Sequence, residues 1–327
     1  MDFPFEANFE KTQEKQKQKQ AANGIGAAYS CMFAVSFLVE IVLVAVLSLA
    51  LGSGRANALL SDPTVLLVTQ IGLTMLMFTI PYIVAAKILK YKISCIAQFK
   101  RPKPKTVLPY TLIGVGVCSL GEILTNGFVT ALSYIGIDPA MPTFDLPEGV
   151  SGVALTLVAV AVVPALLEEF ALRGVVMGLL RPFGDGFAIL LSAIVFALMH
   201  GNLVQIPFAF VVGLSLAFAT VKSGSVWTAV LIHFINNARS VLCDVAQKYL
   251  STSVSDLIYL CSLLLMLFAG IIGVIIAFCR DKEAFSLGKS ENVLTFSERV
   301  RTFFSAPFVI ISLVITLIQI IVVQVMY

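Results

Sequence analysis

The chain has 327 residues, 58% of them hydrophobic and only 13% charged, with a net charge of +3. Soluble domains run at about 45–50% apolar and about 25% charged residues, so the composition excludes an ordinary soluble enzyme. So small a net charge gives no reason to expect a nucleic-acid partner. Length alone would suggest about two soluble domains. Apolar stretches recur from end to end with short connectors, which predicts instead one all-α, polytopic transmembrane bundle.

In chain order, residues 1–23 carry the run KTQEKQKQKQ and predict a polar tail or short surface helix. Stretches of about 20 apolar residues cross a bilayer. Nine candidates follow, at 24–51, 64–88, 107–136, 152–180, 186–201, 203–221, 225–243, 256–279 and 304–326, of which 186–201 is short. The first is too long for the core of a cleavable signal peptide and is followed by further spans. RPKPK at 101–105 is basic and interrupted by proline, and 138–149 (DPAMPTFDLPEG) is acidic and proline-rich, as an external loop would be.

Lys and Arg favour the cytoplasmic side. They gather in the N-terminal tail, in the connector after the second span, as Arg181 and Lys222, and before the last span; the opposite connectors hold only Arg55 and Lys248. Nine spans with the N-terminus cytoplasmic fit this pattern. The six cysteines are scattered singly, without a CxxC pair, and read as small buried hydrophobes rather than as zinc or dithiol sites.

Ionisable residues inside spans are costly and mark function. The fourth candidate holds Glu168, Glu169 and Arg173; the fifth ends at His200, and the seventh holds His233 and Asn237. His200 and His233 are the only two histidines of the chain. On a helix, residues four apart share a face, so Glu169 pairs with Arg173 while Glu168 points about 100° away. Pro164 removes a helix hydrogen bond one turn before Glu168 and loosens the backbone there. Peptide hydrolysis needs a base for the water, donors for the oxyanion and an acid for the leaving amine. Glu168, His200, His233 and Asn237 supply these groups.

Glu-Glu-x-x-x-Arg at 168–173, Phe-x-x-x-His at 196–200 and His-x-x-x-Asn at 233–237, in that order on successive apolar segments, resemble the three motifs of the CAAX-protease and bacteriocin-processing (CPBP, or Abi) family. The type II CAAX prenyl endopeptidases belong to that family. The resemblance covers roughly residues 150–245, flanked by the tail 1–23, N-terminal spans over 24–149 and C-terminal spans over 246–327. It implies that Glu168 and His200 activate the hydrolytic water, that His233 and Asn237 stabilise the oxyanion, and that Glu169 and Arg173 hold the site together and contact substrate. This mechanism requires no cofactor. Zinc stays open, with Glu168, His200 and His233 as its ligands, although HExxH is absent.

The implied partner is a hydrophobic or lipid-modified peptide or protein: a CAAX-like tail, a bacteriocin or a signal peptide, the last two being favoured in a bacterial plasma membrane. Membrane lipids surround the chain, and its oligomeric state stays open. Two other classes use the same buried groups, an ion- or proton-coupled transporter and a non-catalytic membrane regulator. Glu40, Glu122 and Arg239 lie outside the motifs and read as mutual pairs or cavity lining. One mismatch stands out: at about 1.5 Å per residue from the cytoplasmic connectors, Glu168 and His200 lie about 20 Å deep and His233 about 12 Å.

Overall fold

The computed structural model of the chain describes residues 4–140, 145–288 and 292–326, and every regular element among them is helical. Residues 141–144 of the acidic connector and Lys289 lie outside the described residues. The elements are α1 (Pro4–Leu51), α2 (Ser53–Leu60), α3 (Pro63–Ile88), α4 (Ile93–Ile96), α5 (Pro104–Tyr134), α6 (Gly149–Phe183), α7 (Asp185–Leu198), α8 (Gln205–Ser223), α9 (Val226–Tyr249), α10 (Thr252–Arg280), α11 (Phe296–Phe304) and α12 (Pro307–Met326). Proline opens α3, α5 and α12, where its fixed φ and missing N–H cost nothing. Asp62 caps α3 by accepting the N–H groups of Thr64 and Val65 at 2.9 and 3.1 Å.

Seven helices (α1, α3, α5, α6, α8, α10 and α12) are long and apolar enough to cross a membrane. The other two expected spans, 186–201 and 225–243, are α7 and α9. At 14 residues α7 is short, and α9 carries Asn236, Asn237, Arg239 and Asp244. The connectors sort into two ends. At one, called here the tail end, Lys11 bridges Glu298, Lys222 donates to the carbonyls of Glu283 and Ser286, and Asn292 donates to Pro182 O. At the other, the loop end, Lys248 bridges Glu148 and Gln324 donates to Asp138 O. The basic connectors fall at the tail end, as the charge pattern predicts.

Large apolar side chains such as Leu265, Phe268 and Phe278 on α10 and Leu317 and Ile321 on α12 point outward. Exposed apolar surface of this extent marks contact with lipid. The interior is built around α6, where residues 171–180 are buried without exception; α3, α7, α8 and α9 surround it. Elsewhere α5 and α10 meet where a Cβ on Gly116 would lie 2.5 Å from Gly270 Cα. Glycine lets helices in lipid approach this closely.

Three expectations need correction. The N-terminal segment from Pro4 is not a separate tail but the first turns of α1, docked on α11: Gln18, fully buried, donates to Arg299 O, and Glu14 accepts from Val293 N. Of the six cysteines only Cys118 and Cys243 are buried, and the others lie on the outer surface of the bundle. The depth mismatch also resolves. The connector after α3 folds back into the bundle, α4 lying against α6 where a Cβ on Gly178 would come 2.7 Å from Ile96 O. The start of α9 rests on this connector, Val226 donating to Gln98 O and Ser225 to Lys100 O, which raises His233 to the level of Glu169.

Candidate active site

α6 is not a regular α-helix. Two stretches, Leu157–Val162 and Phe170–Val176, are π-helical, and between them Val163–Glu169 returns to α geometry with Pro164 in its first turn. Proline at 164 has no N–H to offer the preceding turn, and a wider π turn accommodates that gap. The consequence is a free carbonyl at Val160, which accepts the Asn237 side-chain amide at 2.9 Å. The broken backbone of α6 thus holds the last residue of the third motif in place.

Glu169 is wholly buried and joins α6 to α9. Its Oε1 accepts from Arg173 Nη1 at 3.1 Å and from His233 Nδ1 at 2.8 Å. Arg173, 1% exposed, also donates to Gly213 O on α8 at 3.1 Å and lies 4.3 Å over the Phe196 ring. The approach is close at Gly213, where a Cβ would stand 3.1 Å from Ala193 Cα. Phe196 meets both imidazoles edge-on, at 5.1 Å to His200 and 5.8 Å to His233. The aromatic of the second motif is therefore a packing platform for the guanidinium and both histidines.

Glu168 points away from this network, as the helical spacing predicts. It lines a cavity of about 460 Å³ together with His200, His233, Asn237, Pro164 and Phe196. Its Oε2 is buried and has no hydrogen-bond partner. His200 sits at the tip of the α7–α8 hairpin, its Nδ1 2.9 Å from Phe196 O. A carbonyl only accepts, so Nδ1 carries the proton and Nε2 keeps a lone pair. The same reasoning applies to His233, whose Nδ1–H faces the Glu169 carboxylate. Asn236 donates to Asn237 Oδ1 at 3.0 Å and fixes the orientation of that amide, leaving its second N–H unassigned.

Every sequence-predicted residue comes to this region, Glu168, His200, His233 and Asn237 on the cavity wall and Glu169 and Arg173 behind it. Sequence reasoning passed over Asn236, Gln70, Gln205 and Ser240, which also line the cavity. Asn236 was accessible through its i+3 relation to His233; Gln70 had no signal beyond being polar within a span. Glu122 and Arg239 pair at 2.6 Å, with Tyr259 and Ser262 as further partners. Glu40 is exposed on α1 and accepts from Ser36. Among the described residues no three His, Cys, Asp or Glu side chains gather closely enough to hold a metal ion.

No curated protein and no solved structure matches the chain. The family model described as Type II CAAX prenyl endopeptidase Rce1-like matches residues 150–239, the stretch that contains all three motifs, and this supports the CPBP family to which those motifs point.

Proposed function

We propose that the chain is an intramembrane endopeptidase that hydrolyses a peptide bond in a hydrophobic or lipid-modified substrate. The observation that carries this reading is the meeting of Glu168, His200, His233 and Asn237, from α6, the α7–α8 turn and α9, on the wall of one cavity. Glu168 is the general base: its unpartnered Oε2 accepts a proton from a water whose other hydrogen bonds to His200 Nε2. The water oxygen attacks the peptide carbonyl. The second N–H of Asn237 donates to the oxyanion, and the His233 ring, held by Glu169, stands beside it on the cavity wall. Glu168 then returns its proton to the leaving amine. Preorganised donors in a dry site are worth far more than the same donors in water.

Comparing the membrane and secreted peptides of cells carrying the wild-type chain or Glu168→Ala tests the reading. A precursor that accumulates only with Glu168→Ala is the expected result and identifies the substrate. Unchanged processing in Glu168→Ala and His200→Ala chains that are folded and inserted would overturn it.

A further inference from the structure

A second cavity of about 1190 Å³ lies at the loop end, with Asp62, Asp145, Glu148, Asp244 and Lys248 on its wall. The same three helices line both cavities in the same order. Moving inward, α3 presents Thr64 and then Gln70, α6 presents Leu155 and then Val160, and α9 presents Asp244 and then Ser240. At about 1.5 Å per residue these steps are about 6–9 Å, so the two cavities lie end to end along α6, flanked by α3 and α9.

The face of α9 agrees. His233, Asn237, Ser240, Asp244 and Lys248 follow at intervals of three and four and so share one side of the helix. This polar stripe continues three turns beyond the last motif residue. Toward the tail end Phe99, from the folded-back connector, stacks on Phe170 at 6.1 Å and meets Trp227 edge-on at 5.9 Å.

The outer mouth is anionic. Its single ammonium, Lys248, is 2.8 Å from Glu148, and Asp62 caps α3. Asp145 and Asp244 take part in no salt bridge among the described residues. Carboxylates alone make no site, but the inner wall adds an independent sign of a missing ligand. Asn236, 6% exposed, has no partner for Oδ1. An unpaired buried acceptor is destabilising, and the N–H of an extended peptide is a donor that satisfies it.

We propose that the two cavities form one trough that receives an extended peptide from the loop end, its apolar segment beside Glu168 and Asn236 and a cationic flank in the Asp145–Asp244 mouth. Cleavage of that peptide rests on the peptidase reading above; its binding does not. The test uses the full chain with Glu168→Gln in lipid nanodiscs and three fluorescent peptides sharing one apolar core, with a Lys-Lys, Gly-Ser or Glu-Glu flank. The Lys-flanked peptide is expected to bind about tenfold tighter than the Glu-flanked one at low ionic strength, with the gap narrowing in salt. Asp145→Lys with Asp244→Lys is expected to invert the order. Should that chain fail to fold, Asp145→Asn with Asp244→Asn is expected to bring the affinities together. Equal binding of the three peptides, no binding of any, or an order that survives these substitutions overturns the proposal. The same peptides given to the active chain separate the two readings. Charge-ordered binding without cleavage removes the peptidase reading alone, and cleavage indifferent to the flank removes the trough alone.

Discussion

His233 and Glu169, 64 residues apart, meet at 2.8 Å between α9 and α6, on the carboxylate oxygen that also holds Arg173. The guanidinium beneath them is closed off from solvent, with Arg173 1% exposed. Glu169→Ala leaves Arg173 as a buried charge whose remaining contacts are a carbonyl and an aromatic face, and breaking a buried pair from one side costs about 3–5 kcal/mol. A marked fall in thermal stability in detergent, along with loss of activity, is the expected outcome. Glu169→Gln, which keeps the acceptor oxygen but not the charge, is expected to lose less.

Its neighbour in sequence behaves in the opposite way. Glu168 lines the cavity and takes no part in the ion-pair network of Glu169 and Arg173. Glu168→Gln is therefore expected to unfold at the same temperature as the wild type or higher, while cleavage falls by about 10²–10⁴. A variant that loses stability and activity together would place Glu168 in the packing network and not at the reacting water.

Asn237 offers a more graded loss. Its amide is held by Val160 O and Asn236, so Asn237→Ala removes one oxyanion donor and leaves the carboxylates untouched. The expected effect is a fall of about 10²–10³ in kcat with KM little changed, measured on whichever precursor accumulates in Glu168→Ala cells.

The packing of α10 on α5 gives a test away from the site. Gly116 and Gly270 face each other with backbones in contact, so Gly270→Leu has nowhere to put its side chain and must push the helices apart. Overpacking typically costs about 1–3 kcal/mol, and the backbone on the far side cannot yield as a side chain would. Thermal unfolding is expected to reveal the loss, whereas the same change at Gly127, which faces open space, is expected to be nearly neutral.

Much of this molecule is visible in its sequence because lipid makes polarity expensive. Glu168, Arg173, His200 and His233 stand out against apolar neighbours, and three-and-four spacing separates Glu168 from Glu169 correctly. What the sequence hides has a physical reason in each case. The π turns of α6 have Pro164 as their only local sign, since the free Val160 carbonyl matters only once Asn237 arrives from α9. The inward fold of the connector before α5 depends on Gly174 and Gly178, residues of a different helix. The first turns of α1 look like a solvated tail because their partners on α11 lie some 280 residues away.

That docked segment makes a prediction in pH. Glu298 sits 2.6 Å from Lys11 and closes a capping box with Thr295 at the start of α11. The Lys11 ammonium first, then the Thr295 N–H and hydroxyl, pull its carboxyl down from the ordinary 4.5 to about 2. A carboxylate that holds its charge more tightly when docked favours docking wherever the free group is ionised. The contribution is therefore complete above about pH 4.5 and is lost as pH falls toward about 2. A spin-label pair between the first turns of α1 and α11 is expected to stay close at neutral pH and to separate across that window. Glu298→Gln is expected to loosen the contact at neutral pH and to flatten its response to acid and, because the pair is exposed, to salt.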